Sequence, residues 1–223
     1  TSSTTGFINT AYLDSTATGA ADETENETSV TVYVGEQGNI LDETWETGDS
    51  DNYTTVNFVC DGTDTDPSDG LTIHPEDEGE LITCLVKNTR KSTTLRLAKR
   101  WEYGVIGDRV TSNTTGFANT ASLDSTATGA ADETENESSV VVFVGETGNI
   151  LDETWATGNS SWYTTVNFVC DGTDTDPSDG LFIDPLDTVL ITCTVRNTRK
   201  STTLRLAKRW EYGVIGDRVT SNT

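Results

Sequence analysis

Three polar residues stand at positions where the alternation of apolar side chains predicts the buried face of a strand. Lys99 is in register with Leu95 and Leu97 in one predicted strand, and Glu153 and Asn197 hold inward positions in two others. A buried charge or amide without a partner destabilises a fold by several kcal/mol. We therefore expect the three side chains to meet and to satisfy one another.

A lysine, a glutamate and an asparagine that meet in a protein core can form a covalent bond. Burial lowers the pKa of a lysine, so that its neutral amine becomes a nucleophile. A buried glutamic acid that holds a proton can polarise the asparagine carboxamide and shuttle protons. Attack of the Lys99 amine on Asn197 with release of ammonia would give an isopeptide bond. A hydrogen-bonded Lys–Glu–Asn cluster, or a Lys99 turned to solvent, is the alternative.

The chain contains two copies of one sequence. Residues 6–73 recur as 116–183, 110 positions later, and residues 81–110 recur as 190–219, 109 positions later. The change in spacing falls in one loop, which is where a folded unit tolerates it. A period of this length is too long for a solenoid repeat and is close to the size of one β-sandwich domain.

The predicted secondary structure consists of strands. Short runs of alternating apolar residues occur at 94–101, 139–144, 163–170 and 190–197. In the third run, the alternation places Thr164 and Val166 on the same face as Phe168. Turn residues separate the runs, and no segment keeps a helical period. We therefore predict an all-β fold of tandem antiparallel β-sandwich domains.

Each copy contains one pair of cysteines, Cys60 with Cys84 and Cys170 with Cys193. Two cysteines per unit at short spacing predict one disulfide within each unit and an oxidising, extracellular or cell-surface location. Two free buried thiols are the alternative. A metal site suits the sequence less well, because neither copy has a further cysteine and the chain has one histidine.

The chain is strongly acidic, with a formal net charge of −23. This charge excludes nucleic acid and anionic membranes as natural partners, because binding to phosphate requires clustered Lys and Arg. The sequence has no apolar stretch long enough to span a membrane, so we expect no membrane insertion in this segment. We interpret the charge as a means of keeping the surface solvated through self-repulsion.

Each copy has an acidic, turn-rich loop after its first cysteine. The aspartates concerned are Asp61, Asp64, Asp66, Asp69, Asp171, Asp174, Asp176 and Asp179. Clustered carboxylates and carbonyls favour calcium, although the spacing is not that of an EF-hand. Asx turns without a bound ion are the simpler interpretation. Calcium is the only cofactor that the sequence suggests, with these aspartates as its candidate ligands.

The order of three segments resembles a known family. Thr94–Trp101, Leu151–Thr154 and Cys193–Arg199 resemble the first strand, acidic box and last strand of prealbumin-like domains, the SpaA or Cna B-type modules of bacterial surface proteins. The loop 170–181 resembles the loop of their cysteine-containing branch. The resemblance covers nearly a full copy, and it lies in the order and spacing of the segments rather than in any single motif.

This resemblance implies an Ig-like β-sandwich of the kind used in pili, adhesins and stalks, often with intramolecular Lys–Asn isopeptide bonds. Carried over to this sequence, it makes Lys99 the amine, Asn197 the acceptor and Glu153 the catalyst. One departure concerns the cysteines, since a disulfide in this branch can replace the isopeptide bond.

The resemblance also moves the domain boundaries away from the visible start of the repeat. It predicts a β-sandwich without its first strand at 1–91, which we call the first unit, and a complete β-sandwich at 92–200, the second unit. Residues 201–223, the C-terminal segment, then form a leading strand that completes the next repeat or subunit.

Two arrangements follow from this division. The units can belong to a continuous array, or strand 202–210 of one copy can complete the first unit of the next by donor-strand addition. Head-to-tail contact of this kind does not close, so it produces filaments. The first unit holds Glu43 and Asn88 and the C-terminal segment holds Lys208, so that an isopeptide bond across the junction would join Lys208 to Asn88.

We therefore expect a structural protein of an extracellular filament, sheath or adhesin stalk, whose partners are further copies of itself. A carbohydrate- or surface-binding adhesin module that uses Trp162 and Tyr163 is the alternative. Trp162 corresponds to Asn52 in the other copy, which favours the structural interpretation. We do not expect an enzyme, because the sequence has no nucleophile elbow, phosphate loop or zinc motif.

Overall fold

The chain forms strands joined by turns. A computed structural model describes residues 1–19, 26–61, 67–132, 136–171, 176–187, 189–211 and 213–220. Within these ranges the helical structure is limited to 3-10 turns at Ser50–Asn52, Pro75–Asp77 and Ser160–Trp162. None of the helical turns in this part of the chain is long and apolar enough to cross a membrane. The prediction of an all-β fold is confirmed.

The described residues of the first unit form six strands. They are β1 (Ser2–Thr5), β2 (Tyr12–Leu13), β3 (Gln37–Ile40), β4 (Tyr53–Cys60), β5 (Leu71–Thr72) and β6 (Cys84–Arg90). Four of them form an antiparallel sheet in the order β2–β1–β3–β5, and β4 pairs with β6 alone. A two-stranded ribbon is marginally stable in water without a further neighbour.

Nine strands lie in the part of the second unit that the structure describes. They are β7 (Ser92–Glu102), β8 (Arg109–Thr115), β9 (Ser122–Thr126), β10 (Asn136–Phe143), β11 (Thr147–Ile150), β12 (Thr154–Thr157), β13 (Tyr163–Cys170), β14 (Leu181–Phe182) and β15 (Ile191–Arg199). One sheet has the order β10–β7–β15–β13, and the other has the order β12–β8–β11–β14 with β9 also paired to β8.

Apolar side chains from both sheets of the second unit share one core. Leu95 and Val195 come from the first sheet, and Leu123 and Ile150 come from the second. A smaller cluster is centred on Trp101. Two sheets with a common core between them are consistent with a β-sandwich. In the described part of the chain, both core clusters lie in the second unit.

One strand pair runs against the prediction of a purely antiparallel sandwich. The strands β7 and β15 are parallel, with Leu95 opposite Ile191 and Lys99 opposite Val195. The other pairings are antiparallel. Because β7 opens the unit and β15 closes it, the two strands can lie side by side and run in the same direction.

The alternation in β13 is broken by a bulge. The register against β15 shifts between Val166 and Val169. The prediction that Thr164 and Val166 share the buried face of Phe168 is therefore wrong, because Val166 is 52% exposed and Phe168 is 2% exposed. A bulge reverses which alternate residues point inward, so that Tyr163 on the other side of it is also buried.

Both predicted disulfides are present. One joins Cys60 of β4 to Cys84 of β6, and the other joins Cys170 of β13 to Cys193 of β15. Each bond links residues that face one another in adjacent strands. The described cysteines include no free thiol.

The C-terminal segment is not paired with any strand in its described residues. In its described residues, 201–211 and 213–220, no strand is formed and every residue is exposed.

Candidate functional site

Lys99 lies inside the second unit, in the middle of a sheet. Its strand β7 runs between β10 and β15, and Leu95, Leu97 and Trp101 on the same face are fully buried. The Lys99 side chain is 0% exposed and its Nζ lies 2.7 Å from Glu153 Oε1. The lysine is therefore directed into the core and not toward solvent.

Glu153 reaches the same place from the opposite sheet. It lies in the connection between β11 and β12 and not within a strand, and its side chain is 4% exposed. Its Oε2 accepts a hydrogen bond of 2.9 Å from Asn197 Nδ2. One carboxyl group thus contacts both the lysine amine and the nitrogen of the asparagine carboxamide.

Asn197 is held from two sides. It belongs to β15 and is 0% exposed. While its Nδ2 donates to Glu153, its Oδ1 accepts a 2.7 Å hydrogen bond from Thr165 Oγ1 on β13. The carboxamide is therefore polarised by a donor at its oxygen and an acceptor at its nitrogen. Thr165 is a member of this cluster that the alternation did not reveal, because the bulge in β13 changes which residues point inward.

The Lys99 amine and Glu153 depend on each other. Their contact is 2.7 Å, and neither Lys99 Nζ nor Glu153 Oε1 has a hydrogen-bond partner elsewhere in the described structure. Nζ also lies 4.5 Å from the centroid of the Trp101 ring, whose face attracts a cation. Removal of either charged partner would leave the other buried alone, at a cost of about 3–5 kcal/mol.

Burial lowers the pKa of Lys99 from 10.5 to about 8, although the nearby Glu153 carboxylate acts in the opposite direction. Lys99 therefore loses its proton to become the neutral amine at a lower pH than a solvated lysine does. With the carboxyl group between amine and carboxamide, the arrangement can take a proton from the amine and give one to the amide nitrogen.

The first unit holds the equivalent partial cluster. Asn88 Nδ2 donates to Glu43 Oε2 at 2.7 Å, and Thr55 Oγ1 donates to Asn88 Oδ1 at 2.6 Å. These two bonds match those around Asn197, but they are exposed. No lysine forms an ion pair with Glu43 in the described residues.

Lys208, the third member predicted for the first unit, lies in the exposed C-terminal segment of the same chain. It stacks over Trp210, with Nζ 4.9 Å from the ring centroid, as Lys99 does over Trp101. The structure thus brings Lys99, Glu153 and Asn197 together but does not bring Lys208 to its predicted partners.

The calcium prediction has no structural counterpart in the described residues. Asp64, Asp66 and Asp174 lie outside them. The other five candidates are Asp61, Asp69, Asp171, Asp176 and Asp179. The described residues contain no group of three or more His, Cys, Asp or Glu side chains that could hold a metal ion.

Three of the described aspartates in these loops accept hydrogen bonds from other groups of the protein. Asp61 accepts from Thr83 N at 3.2 Å, and Asp171 accepts from Thr192 N at 3.2 Å. Ser178 donates to Asp176. Calcium binding stays a prediction.

The aromatic pair proposed for a binding module is not a surface pair. Trp162 is 49% exposed, but Tyr163 is 4% exposed. The Tyr163 hydroxyl donates to Asp108 Oδ2 at 2.6 Å and accepts from Val105 N at 2.7 Å. Burial and the hydrogen bond to Asp108 raise the pKa of Tyr163. Tyr163 is therefore a core residue and is not available to a ligand.

No protein-family model matches the chain, and no curated protein matches it at a significant level.

Proposed function

We propose that the chain is a structural repeat unit of an extracellular filament, sheath or adhesin stalk, in which copies join head to tail by donation of a strand. The units are tandem prealbumin-like β-sandwiches, and the C-terminal segment of one copy completes the first unit of the next. One observation supports this proposal above all: a single sequence occurs twice in the chain, once buried as a central strand and once exposed and unpaired.

The donor is the C-terminal segment. From Ser201 onward it repeats the sequence of β7 residue for residue. Leu95 and Leu97 in β7 are 0% exposed, whereas the corresponding Leu204 and Leu206 are 80% and 58% exposed. Burial of each leucine would stabilise the fold by about 1.5–3 kcal/mol. Addition of this segment to a sheet would therefore bury apolar side chains that are exposed here.

The acceptor is the free edge of β6 in the first unit. The strand β15 has neighbours on both sides, whereas its copy β6 pairs with β4 alone. Where Val144 is 1% exposed in the second unit, the equivalent Val34 is 46% exposed. Addition of a strand beside β6, as β7 lies beside β15, would complete the sheet and cover the open core.

The aromatic residues follow the same pattern. In the second unit, Trp101 of β7 packs against two rings, at 5.8 and 5.5 Å between centroids. The first unit has a pair of rings, Trp45 and Tyr53, whose centroids are 5.0 Å apart. The donated strand would bring Trp210 to this pair and rebuild the cluster of three.

The same proposal includes an isopeptide bond between Lys99 and Asn197. Lys99 Nζ forms a bond to the carboxamide carbon, and the bond from that carbon to Nδ2 breaks. Glu153 takes a proton from the amine and delivers it to the departing nitrogen, which leaves as ammonia, so that atoms and charge balance. The contacts of Glu153 with both nitrogens support this step.

At the junction between copies the equivalent bond joins Lys208 of the donor to Asn88 of the acceptor, with Glu43 as the proton carrier. The bond from Asn88 Nδ2 to Glu43 already matches its counterpart in the second unit. A filament built in this way is covalent within each unit and across each junction. The two disulfides favour an extracellular or cell-surface location for it.

Competition with a free donor strand tests the proposal. The full chain is concentrated and its size is followed by light scattering and electron microscopy, with and without a synthetic peptide of residues 201–220. We expect linear multimers that grow with concentration and that the peptide shortens by occupying the acceptor. A matched peptide with Asp at the positions of Leu204 and Leu206 should have no effect. A chain that stays monomeric, or multimers indifferent to the peptide, would refute the proposal.

A further inference from the structure

The chain contains one junction between a first unit and the unit that follows it. Arg90, at the end of β6, donates from Nε and Nη2 to the Val144 carbonyl, at 3.2 and 3.0 Å. Its Nη1 lies 3.7 Å from Glu146 Oε1, and its guanidinium lies 5.3 Å from the centroid of the Phe143 ring. A single arginine therefore fixes the turn between β10 and β11 by hydrogen bonds, charge and ring contact.

Lys91 and its neighbours complete this contact. The Lys91 carbonyl accepts from Val144 N at 3.0 Å, while the Lys91 ammonium donates to the Asp51 carbonyl at 2.8 Å. Gly145 lies against the Asn52 side chain so closely that a Cβ there would be 2.6 Å from Asn52 Nδ2. We call Asp51, Asn52, Arg90 and Lys91 the inner socket, which the turn at Gly145 fills.

The same four positions recur, uncovered, at the other end of the second unit. They are Ser161, Trp162, Arg199 and Lys200, which together line a surface concavity and which we call the outer socket. Lys200 donates from its backbone to the Trp162 carbonyl at 2.8 Å and from Nζ to the Ser161 carbonyl at 2.9 Å. Lys91 makes the equivalent bonds to Asn52 and Asp51. The same two hydrogen bonds of the lysine therefore hold the outer socket and the inner socket in the same arrangement.

The turn that would fill the outer socket is also present and uncovered. Glu36, the counterpart of Glu146, accepts from Ile8 N at 3.1 Å and from Tyr33 N at 2.9 Å. Glu146 accepts from the two equivalent backbone donors. Among the described residues, neither Glu36 nor Arg199 takes part in an ion pair, so the opposite charges of this second junction have no partner within one copy.

We infer that the outer socket binds the turn Tyr33–Glu36 of a second copy, as the inner socket binds the turn at Gly145. This inference rests on the proposed head-to-tail assembly, and it adds an interface outside the donated strand. Arg199 would meet the carbonyl of Val34 and the carboxylate of Glu36, with its guanidinium against the Tyr33 ring. Because Lys200 directly precedes the donated strand, both contacts form in one docking event.

The difference between the two sockets explains why the copies of the sequence disagree at this position. The inner socket has Asn52 where the outer socket has Trp162. The inner socket and the turn at Gly145 belong to one chain, so their high effective concentration favours the contact between them. Between copies the contact has to recruit its partner, and a tryptophan is the side chain that most often supplies the needed contact area. Trp162 would cover Gly35, whose lack of a side chain permits a close approach.

Hydroxyl-radical footprinting of the full chain tests this inference. Trp162 and Trp210 are equally suitable reporters, since they are 49% and 48% exposed in one copy. The modification rate of each is measured by mass spectrometry at concentrations below and above assembly. We expect both tryptophans to become several-fold less reactive on assembly. Protection of Trp210 alone would overturn the outer socket while strand donation stands, and protection of neither would refute both.

A pair of substitutions provides the second readout. Trp162→Ala and Val166→Ala both shorten exposed side chains of the second unit, at 49% and 52% exposure, but only the first lies in the outer socket. We expect Trp162→Ala to raise the concentration needed for assembly about tenfold and Val166→Ala to leave it unchanged. Arg199→Ala should act in the same direction as Trp162→Ala. Equal effects at positions 162 and 166 would contradict the inference.

Discussion

The Lys99 cluster shows how Lys99, Glu153 and Asn197, whose burial without partners would destabilise the fold, can lie together in a core. Glu153 lies between the other two, with one oxygen 2.7 Å from Lys99 Nζ and the other accepting from Asn197. Thr165 holds the far side of the carboxamide. As an ion pair this arrangement is at best neutral for stability, because desolvation of the charges offsets their attraction. A covalent bond would convert the Lys99 amine into a neutral amide and so remove one of the two buried charges.

Intact mass measures the proposed bond at this cluster. We expect the protein to be lighter than its sequence by about 17 Da for each isopeptide bond, in addition to about 2 Da for each disulfide. Lys99→Met and Glu153→Gln should each abolish the 17 Da difference of the second unit, the first by removing the nucleophile and the second by removing the proton carrier. In monomers, Lys208→Met serves as the control and should leave the mass difference of the second unit in place. A wild-type mass that shows only the disulfides would exclude the bond.

The lowered pKa of Lys99 predicts a pH dependence of stability wherever the bond is prevented. In Asn197→Ala, Lys99 keeps its amine, whose pKa is about 8 when folded and 10.5 when unfolded. Between these values the unfolded state binds more protons, so the free energy of unfolding increases with pH and gains up to about 3 kcal/mol. Chemical denaturation from pH 7 to 11, compared with Lys99→Met/Asn197→Ala, should show this increase. A pH-independent difference would mean that burial does not perturb Lys99.

At the scale of the strands, the pattern of apolar residues was sufficient for β7 and β15, because both are regular central strands with one continuous buried face. The inward positions of Lys99 and Asn197 follow from that regularity. Alternation fails for β13, where a bulge reverses the phase and brings Thr165 into the cluster. For Glu153 the predicted inward position is confirmed, although the residue lies in a connection between β11 and β12 and not within a strand. The parallel pairing of β7 with β15 is set by the tertiary structure and cannot be predicted from the local pattern of apolar residues.

The duplicated strand permits a matched comparison of one substitution in two settings. Leu97→Asp places a charge in the core of the second unit and should destabilise that unit by several kcal/mol. Leu206→Asp, at the same place in the identical sequence, changes a residue that is 58% exposed and should leave the thermal stability of the monomer unaltered. It should nevertheless abolish assembly, because the donated strand could no longer be buried. Calorimetry and light scattering measure the two effects; normal assembly of Leu206→Asp would contradict strand donation.

One disulfide lies in a four-stranded sheet and the other in a two-stranded ribbon, so we expect them to have different roles. Loss of Cys170–Cys193 removes a cross-link from a completed sheet and should lower the stability of the second unit by about 3 kcal/mol. Loss of Cys60–Cys84 affects the isolated ribbon of β4 and β6, which has few other contacts to hold the acceptor edge in place. We expect Cys60→Ala/Cys84→Ala to impair assembly with little change in the melting of the second unit. Equal effects of the two double variants on that melting would show that the ribbon is not an independent element.

At the scale of the whole molecule, the proposed filament joins two different ends of the chain. One end offers a strand and the outer socket, and the other offers the open edge of β6 and the turn Tyr33–Glu36. Contacts between unlike surfaces give open filaments when the rotation between copies does not close a ring. The net charge of −23 opposes lateral association of such filaments and keeps their sides solvated. In the proposed filament, specific recognition would lie at the ends, where Arg199 and Glu36 provide opposite charges.

Register-specific cross-linking between copies tests strand donation most directly. In the second unit, Arg100 of β7 lies opposite Arg196 of β15, so strand donation would place Arg209 of one copy opposite Lys87 of another. Because no described cysteine is free, Lys87→Cys and Arg209→Cys each introduce a single reactive thiol. Mixing the two variants under mild oxidation should give a covalent heterodimer. Arg205→Cys lies on the same strand face, four residues before Arg209, and should give no heterodimer with Lys87→Cys. Cross-linking at position 209 no faster than at position 205 would contradict the account.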